Sequence, residues 1–222
     1  MSRACQDRRP LGFTLIELLT VMAIIAILVS IGIGAVRGAN QRAAIARAKA
    51  DLAGVATALE EFKRHYGDYP QLGEFAHAAV VPATANTGPG LATAEARLFN
   101  CLTGAFGPSR FTTDDRLNGP DFLDVGKFSL DAPPAATFLV PATNAPRPTF
   151  KPEQNVSLLD PWGHRYLYYY KNARSPNTWQ AAGYVLYSAG PDGAHTAPPA
   201  TGILSATQLA AVNNADNLYA NP

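Results

Sequence analysis

At 222 residues the chain has room for one ordinary domain with an extension, or for two small domains. Its 18 lysines and arginines stand against 17 aspartates and glutamates, a balance that offers no electrostatic case for nucleic acid as a primary partner. A hydrophobic share of 47% and a charged share of 16% suit a globular protein, but both are distributed very unevenly along the chain.

The first feature in chain order is a charge-free run from Leu18 to Val36, "LLTVMAIIAILVSIGIGAV". As a helix rising 1.5 Å per residue it approaches the hydrocarbon thickness of a bilayer, so it is expected to span one. Arg3, Arg8 and Arg9 precede it against a single Asp7, which places the N-terminus in the cytoplasm and everything after Arg37 outside. A secretory signal peptide shares the basic start. Its apolar stretch is shorter, however, and it needs a small-residue cleavage site that is not well placed after this run. Glu17 also sits among apolar residues near the start. One reading has it snorkel to the headgroups and the other gives it a function, and charge alone does not choose between them.

The local sequence "RRPLGFTLIELLTVMAIIAIL" closely resembles the cleavage and methylation signature of type IV prepilins and pseudopilins: a short basic leader, Gly12, then Phe13, with Glu17 fifth after the cut. The resemblance implies that a prepilin peptidase of the inner membrane cleaves between Gly12 and Phe13 and N-methylates the new terminus. It implies a partner for Glu17 as well. Cleavage creates an α-amine with an unperturbed pKa of about 7.7 to 8.0, which the Glu17 carboxylate of a neighbouring copy can neutralise. Removal of the leader also removes Cys5. Cys101 then remains without an intramolecular disulfide partner and reads as a small packed side chain.

From Arg37 to Tyr66 the chain is alanine-rich with interspersed charge and contains no proline. Leu52, Val55, Leu59, Phe62 and Tyr66 recur at intervals of three and four, which predicts a continuing amphipathic helix whose apolar face a sheet covers. Gly67, Asp68 and Pro70 predict its end. Together the two segments make one helix of about 75 to 80 Å, longer than a compact domain requires. Gly32 and Gly34 stand where many family members carry a helix-breaking proline.

Residues 71 to 155 are rich in Ala, Pro, Thr and Gly and read as a loop-rich inserted region. A short helix is expected around Thr93 to Leu102, with Leu98 and Leu102 facing the core. Asp160-Pro161-Trp162-Gly163 has the residues of a β-turn and leads into an aromatic strand from Arg165 to Lys171. A second strand from Gly183 to Gly190 is expected to pair with it antiparallel against the 52 to 66 helix face.

"ALEEFKRHYGDYP", "DPWG", "YSAGPDG" and "NNADNLY" follow the order seen in the major pseudopilin of type II secretion, which this chain resembles. In that subfamily the loop after the final strand binds calcium. The resemblance implies as ligands the Ala189 carbonyl, the Asp192 and Asp216 carboxylates, and Asn217. The interval from Gly193 to Asp216 is much longer than the family's loop, and the bland alternative is a plain Asp192-Gly193 turn beside a solvated Asp216.

His65, His77, His164 and His195 lack zinc spacing and read as surface or turn residues. No nucleophile elbow, phosphate loop or paired carboxylates appear, so catalysis is not expected. Trp162 and the tyrosines from 166 to 170 offer either a binding platform or core packing, and aromatics alternating along a strand are much more often packing.

The expected architecture is α+β and pilin-like: a leader over 1–12, an apolar helix over 13–36, its amphipathic continuation over 37–66, the inserted region 71–155, and an antiparallel β region over 156–222. What the resemblance implies is a pseudopilus subunit in the inner membrane with a periplasmic C-terminal domain. Its partners would be further copies of itself, the prepilin peptidase, minor pseudopilins and an inner-membrane assembly platform. A type IV pilin for adhesion, motility or DNA uptake is the alternative within the family. A membrane-anchored binding domain that never polymerises is the alternative outside it.

Overall fold

The computed structural model describes residues 13–71, 75–80, 82, 93–108, 117–132, 151, 154–171 and 176–220, with the backbone alone described for 31–37 and 176. The chain divides into two compact units, residues 1–43 and 44–222. Helix α1 runs unbroken over Leu15–Tyr66, through Gly32 and Gly34. In the first unit its side chains from 13 to 30 are all exposed. Among the described residues no helix is long and apolar enough to cross a membrane; the side chains of 31–37, which complete the expected span, lie outside them. The helix ends as its sequence predicts. Gly67 takes φ +85° and its N–H returns to the Lys63 carbonyl at 2.7 Å, a left-handed cap that glycine adopts without strain.

In the second unit, Leu52, Val55, Leu59 and Phe62 of α1 are fully buried, as their spacing predicts. Helix α2 (Ala94–Leu102) follows, capped by Thr93, whose side chain accepts the Ala96 N–H. Leu98 and Leu102 face the core, but so does the rest of α2, charged residues included. Such charges need partners, and each finds one in the preceding loop. Glu95 Oε1 lies 2.7 Å from His77 Nδ1, and its Oε2 accepts the Ala78 N–H. Arg97 donates from Nε to the Gln71 carbonyl while its guanidinium lies over the Phe75 and Phe106 rings. Cys101 is free and buried, and burial raises its thiol to about 11.

Strands β1 (Ser129–Leu130) and β2 (Leu158–Leu159) form one antiparallel pair. Strands β3 (Leu167–Tyr169), β4 (Val185–Ser188) and β5 (Leu218–Tyr219) form an antiparallel sheet in the order β3-β4-β5, its first two strands shorter than the runs expected for them. The alternation of a strand sends Tyr166, Tyr168 and Tyr170 toward α1, and each hydroxyl finds an acceptor there or just beyond: Asp51, the Pro70 carbonyl and Asp68. Burial pushes Asp68 up, yet bonds from Lys171, Tyr170, Gln71 and the Tyr69 N–H together hold it below the ordinary carboxylate range. Leu167, Val185 and Tyr187 occupy the opposite face with Val80 and Ala189, partly covered by Trp179, Leu204 and Tyr219. Both faces of the sheet are therefore covered, and every residue of β4 is buried.

The two sheets are joined by the Leu159↔Arg165 backbone bridge and by a buried ion pair. Arg165 donates from Nε and Nη2 to Asp131 Oδ2 at 3.0 and 2.9 Å, and from Nη1 to the Ala79 carbonyl. Asp131→Ala leaves this guanidinium buried without its anion, and a loss of about 3–5 kcal/mol is expected. Denaturant unfolding of the full chain in detergent measures it, and replacing both partners by apolar residues should cost less than removing one.

Candidate functional site at the helix start and the 189–217 loop

Gly12 lies outside the described residues, and Phe13 is 88% exposed. Thr14 and Glu17 form a reciprocal cap on the first turn of α1. Thr14 Oγ1 accepts the Glu17 N–H at 3.3 Å, and Glu17 Oε2 accepts both the Thr14 N–H at 2.9 Å and its hydroxyl at 2.8 Å. The sequence carries the signal for this in Thr14-x-x-Glu17 ahead of an apolar run, a pattern missing from the reading of Glu17 above. Both bonds to the carboxylate fall on Oε2, and Oε1 has no partner among the described residues. The side chains around it, Leu15, Ile16, Leu18 and Leu19, are exposed and apolar.

The second region is built on the Asp160-Pro161-Trp162-Gly163 turn, closed as expected by a bond of 3.0 Å from the Gly163 N–H to the Asp160 carbonyl. Asp160 is buried and its carboxylate is fully engaged. Oδ1 accepts the N–H groups of Trp162 and His164 at 3.0 and 2.9 Å, and Oδ2 accepts the Ser188 hydroxyl at 2.6 Å. Ser188 Oγ in turn accepts the Gly190 N–H at 3.1 Å, and His164 Nδ1 lies 2.7 Å from the Gly190 carbonyl. His164 is thus a buried residue and not a surface one. Nothing in its neighbours along the chain signals the glycine loop that packs on its ring at Gly193. His195 meets the Tyr187 hydroxyl at 2.9 Å, and burial, helped by His77, holds its pKa below the usual imidazole value.

Ala189 is fully buried at the end of β4. Gly190 takes φ +70°, and a Cβ there would strike the backbone oxygen of Asp216 at 2.6 Å and its Oδ2 at 2.8 Å, so the 189–193 loop and the Asp216 segment touch directly. The long interval from Gly193 to Asp216 folds back on itself. Asn214, buried, closes its base: Oδ1 accepts the Thr196 N–H at 2.8 Å, and Nδ2 donates to the Gln208 carbonyl at 2.7 Å. Within the excursion, helix α3 (Ala206–Leu209) is held by a capping box between Ser205 and Gln208.

One end of the Asn217 amide lies 3.3 Å from both the Ala189 and the Ala194 carbonyl oxygens, and the other lies 3.1 Å from Asn214 Oδ1. Oxygen acceptors therefore stand at both ends, and neither orientation of the amide satisfies all three. With Nδ2 turned to the carbonyls the amide donates to both Ala189 and Ala194, so this group is held by hydrogen bonds within the chain and offers a cation only neutral oxygens. Of the sequence-predicted ligands, Ala189 and Asn217 are in this group, and Asp216 packs beside it against Gly190. Asp192 instead caps its own turn, accepting the Ala194 N–H at 2.8 Å, with its side chain exposed. The Ala194 carbonyl escaped the sequence reading, because a backbone oxygen has no residue signature. Among the described residues no group of three or more His, Cys, Asp or Glu side chains is placed to hold a metal ion.

No curated protein and no solved structure matches the chain significantly. Residues 7–33 match the family described as the prokaryotic N-terminal methylation motif, a stretch that includes Gly12, Phe13, Glu17 and most of the apolar run. The chain therefore begins with the type IV prepilin-like signal.

Proposed function

We propose that this chain is a structural subunit of a type II secretion-like pseudopilus. It is inserted in the inner membrane by its apolar helix, cut between Gly12 and Phe13 by a prepilin peptidase, and polymerised through that helix to support protein export. The observation that carries this reading is a single carboxylate, Glu17, set in an exposed apolar helix start inside the methylation motif. A simple anchor gains only a first-turn cap from an acid there, and an ionisable group in a spanning segment is costly unless paired.

The chemistry follows from the cap. Glu17 uses Oε2 on its own first turn and keeps Oε1 for a donor from another chain. Cleavage supplies that donor as the α-amine of Phe13, which stays mostly cationic at neutral pH with or without one methyl group. In a surround free of water the ion pair is charge-assisted and directional, and it relieves the burial cost of both groups. It can therefore set the axial register between copies.

Two measurements check this. Mass spectrometry of the purified chain should show Phe13 as the N-terminus carrying one methyl group, and a native chain with its leader intact would overturn the processing. Glu17→Ala should lower filament yield or inter-subunit cross-linking at least tenfold. Thr14→Ala, which loses the cap at a cost of about 1 kcal/mol, should lower it much less. Equal losses would mean that Glu17 serves only its own helix, and an indifferent Glu17→Ala would leave a membrane-anchored module that does not assemble.

The direct contact of the 189–193 loop with Asp216 favours a second reading, that the 189–217 loop takes up calcium with the Asp216 carboxylate among its donors. The ion would supply no catalysis and would hold the excursion closed on the sheet. With a low charge count among its donors, the site should bind in the weak range of extracellular modules. Calcium in excess over its dissociation constant should then raise the unfolding temperature of the detergent-solubilised full chain relative to chelator, and Asn217→Ala should remove the difference.

A further inference from the structure

Between Glu17 and Asp51 the chain holds no acid, and the cations there, Arg37, Arg42, Arg47 and Lys49, all follow the apolar run. Beyond Asp51 the signs mix again, with Glu60 and Glu61 beside Lys63 and Arg64. A solvated helix face has the second pattern and not the first. Helix α1 carries both without a break. Arg42, Arg47 and Lys49 are exposed, and among the described residues none of them has a carboxylate within ion-pair distance. Arg47 alone is engaged: its Nη2 donates to Ser129 Oγ at 3.4 Å, and its charge acts on Asp51 one turn on.

The spacing is that of a collar. Positions 37, 42 and 47 step about 140° around the axis each time, and Lys49 returns to the side of Arg42. A partner helix lying alongside α1 would meet one side of such a ring, whereas a surface lying across the axis meets all of it. Arg42 follows the end of the apolar run at Val36 by about 9 Å of helix, Arg47 by about 16 Å and Lys49 by about 20 Å. Helical side chains lean toward the N-terminus, which here is back toward that run. Headgroups occupy about 5–8 Å beyond each side of the hydrocarbon, so Arg42 reaches them, while Arg47 and Lys49 lie within about one screening length.

We infer that Arg42, Arg47 and Lys49 form a collar for anionic phospholipid headgroups on the outer face of the membrane. This rests on the reading of the apolar run as the membrane anchor. Cleavage after Gly12 removes Arg3, Arg8 and Arg9 and leaves every lysine and arginine of the chain on the outer side, the reverse of the usual bias. The collar then supplies the electrostatic hold on lipid that the leader's arginines no longer give.

The test counts the phosphatidylglycerol and phosphatidylcholine that co-purify with the full chain from micelles holding equal amounts of the two. The wild type should retain the anionic lipid at least tenfold over the neutral one at about 0.1 M sodium chloride, and lose the preference at about 1 M, where charges are screened within about 3 Å. Arg42→Gln should lower the preference about fivefold and Arg42→Gln/Arg47→Gln at least tenfold, whereas Lys63→Gln/Arg64→Gln, about 20 Å beyond Lys49, should change it less than twofold. Equal losses in the two double variants, or no loss in Arg42→Gln/Arg47→Gln, would overturn the collar. Inorganic phosphate at matched ionic strength should leave the preference unchanged, and displacement of the lipid by phosphate would overturn the assignment to lipid. Flotation with phosphatidylcholine vesicles reads the anchor separately. All of these proteins should float, and a wild type that does not overturns the membrane reading and the collar with it.

Discussion

The second unit depends on one contact, the burial of the Leu52–Val55–Leu59–Phe62 face of α1 against the aromatic side of the three-stranded sheet. Burying such side chains contributes about 1.5–3 kcal/mol each. It also imposes a condition. The sheet presents tyrosines to this face, and tyrosine can be buried at low cost only where its hydroxyl finds a partner. Asp51, Asp68 and the Pro70 carbonyl meet that need, so the register of the sheet on the helix is set by polar bonds inside an apolar contact.

Covering the opposite face of the sheet links the fold to the 189–217 loop. The loop from 75 to 80, the segment around Trp179 and the excursion near Leu204 lie over Leu167, Val185 and Tyr187, and the same excursion returns at Asn214 to bring Asp216 and Asn217 beside Ala189. The base of this excursion is tied by Asn214, whose Oδ1 holds the Thr196 N–H, and the tie keeps Asp216 and Asn217 grouped with the Ala189 end of β4. Asp160 anchors the other side of the group, which makes an ordinary β-turn part of a larger polar network.

Glu17 shows how one residue can satisfy two requirements at once. A helix start leaves N–H groups without partners, and an acid within an apolar stretch is costly to bury unless it is paired. A carboxylate has two oxygens, and one of them is spent on the cap while the other has no partner among the described residues.

Much of the protein was legible before folding. The span of α1, its end at Gly67, the core face at intervals of three and four, the 160–163 turn and the signal around Gly12, Phe13 and Glu17 all rest on interactions within about four residues, which periodicity and turn chemistry encode locally. The capping box was equally local and could have been read. Residues 189, 194 and 217 meeting at one amide, His164 leaving the surface to hold Gly190, and charged side chains of α2 entering the core lie beyond that reach. Those outcomes pair groups tens of residues apart, several of them backbone carbonyls that every residue possesses. Only the packed sheet selects which of many equivalent oxygens face one another.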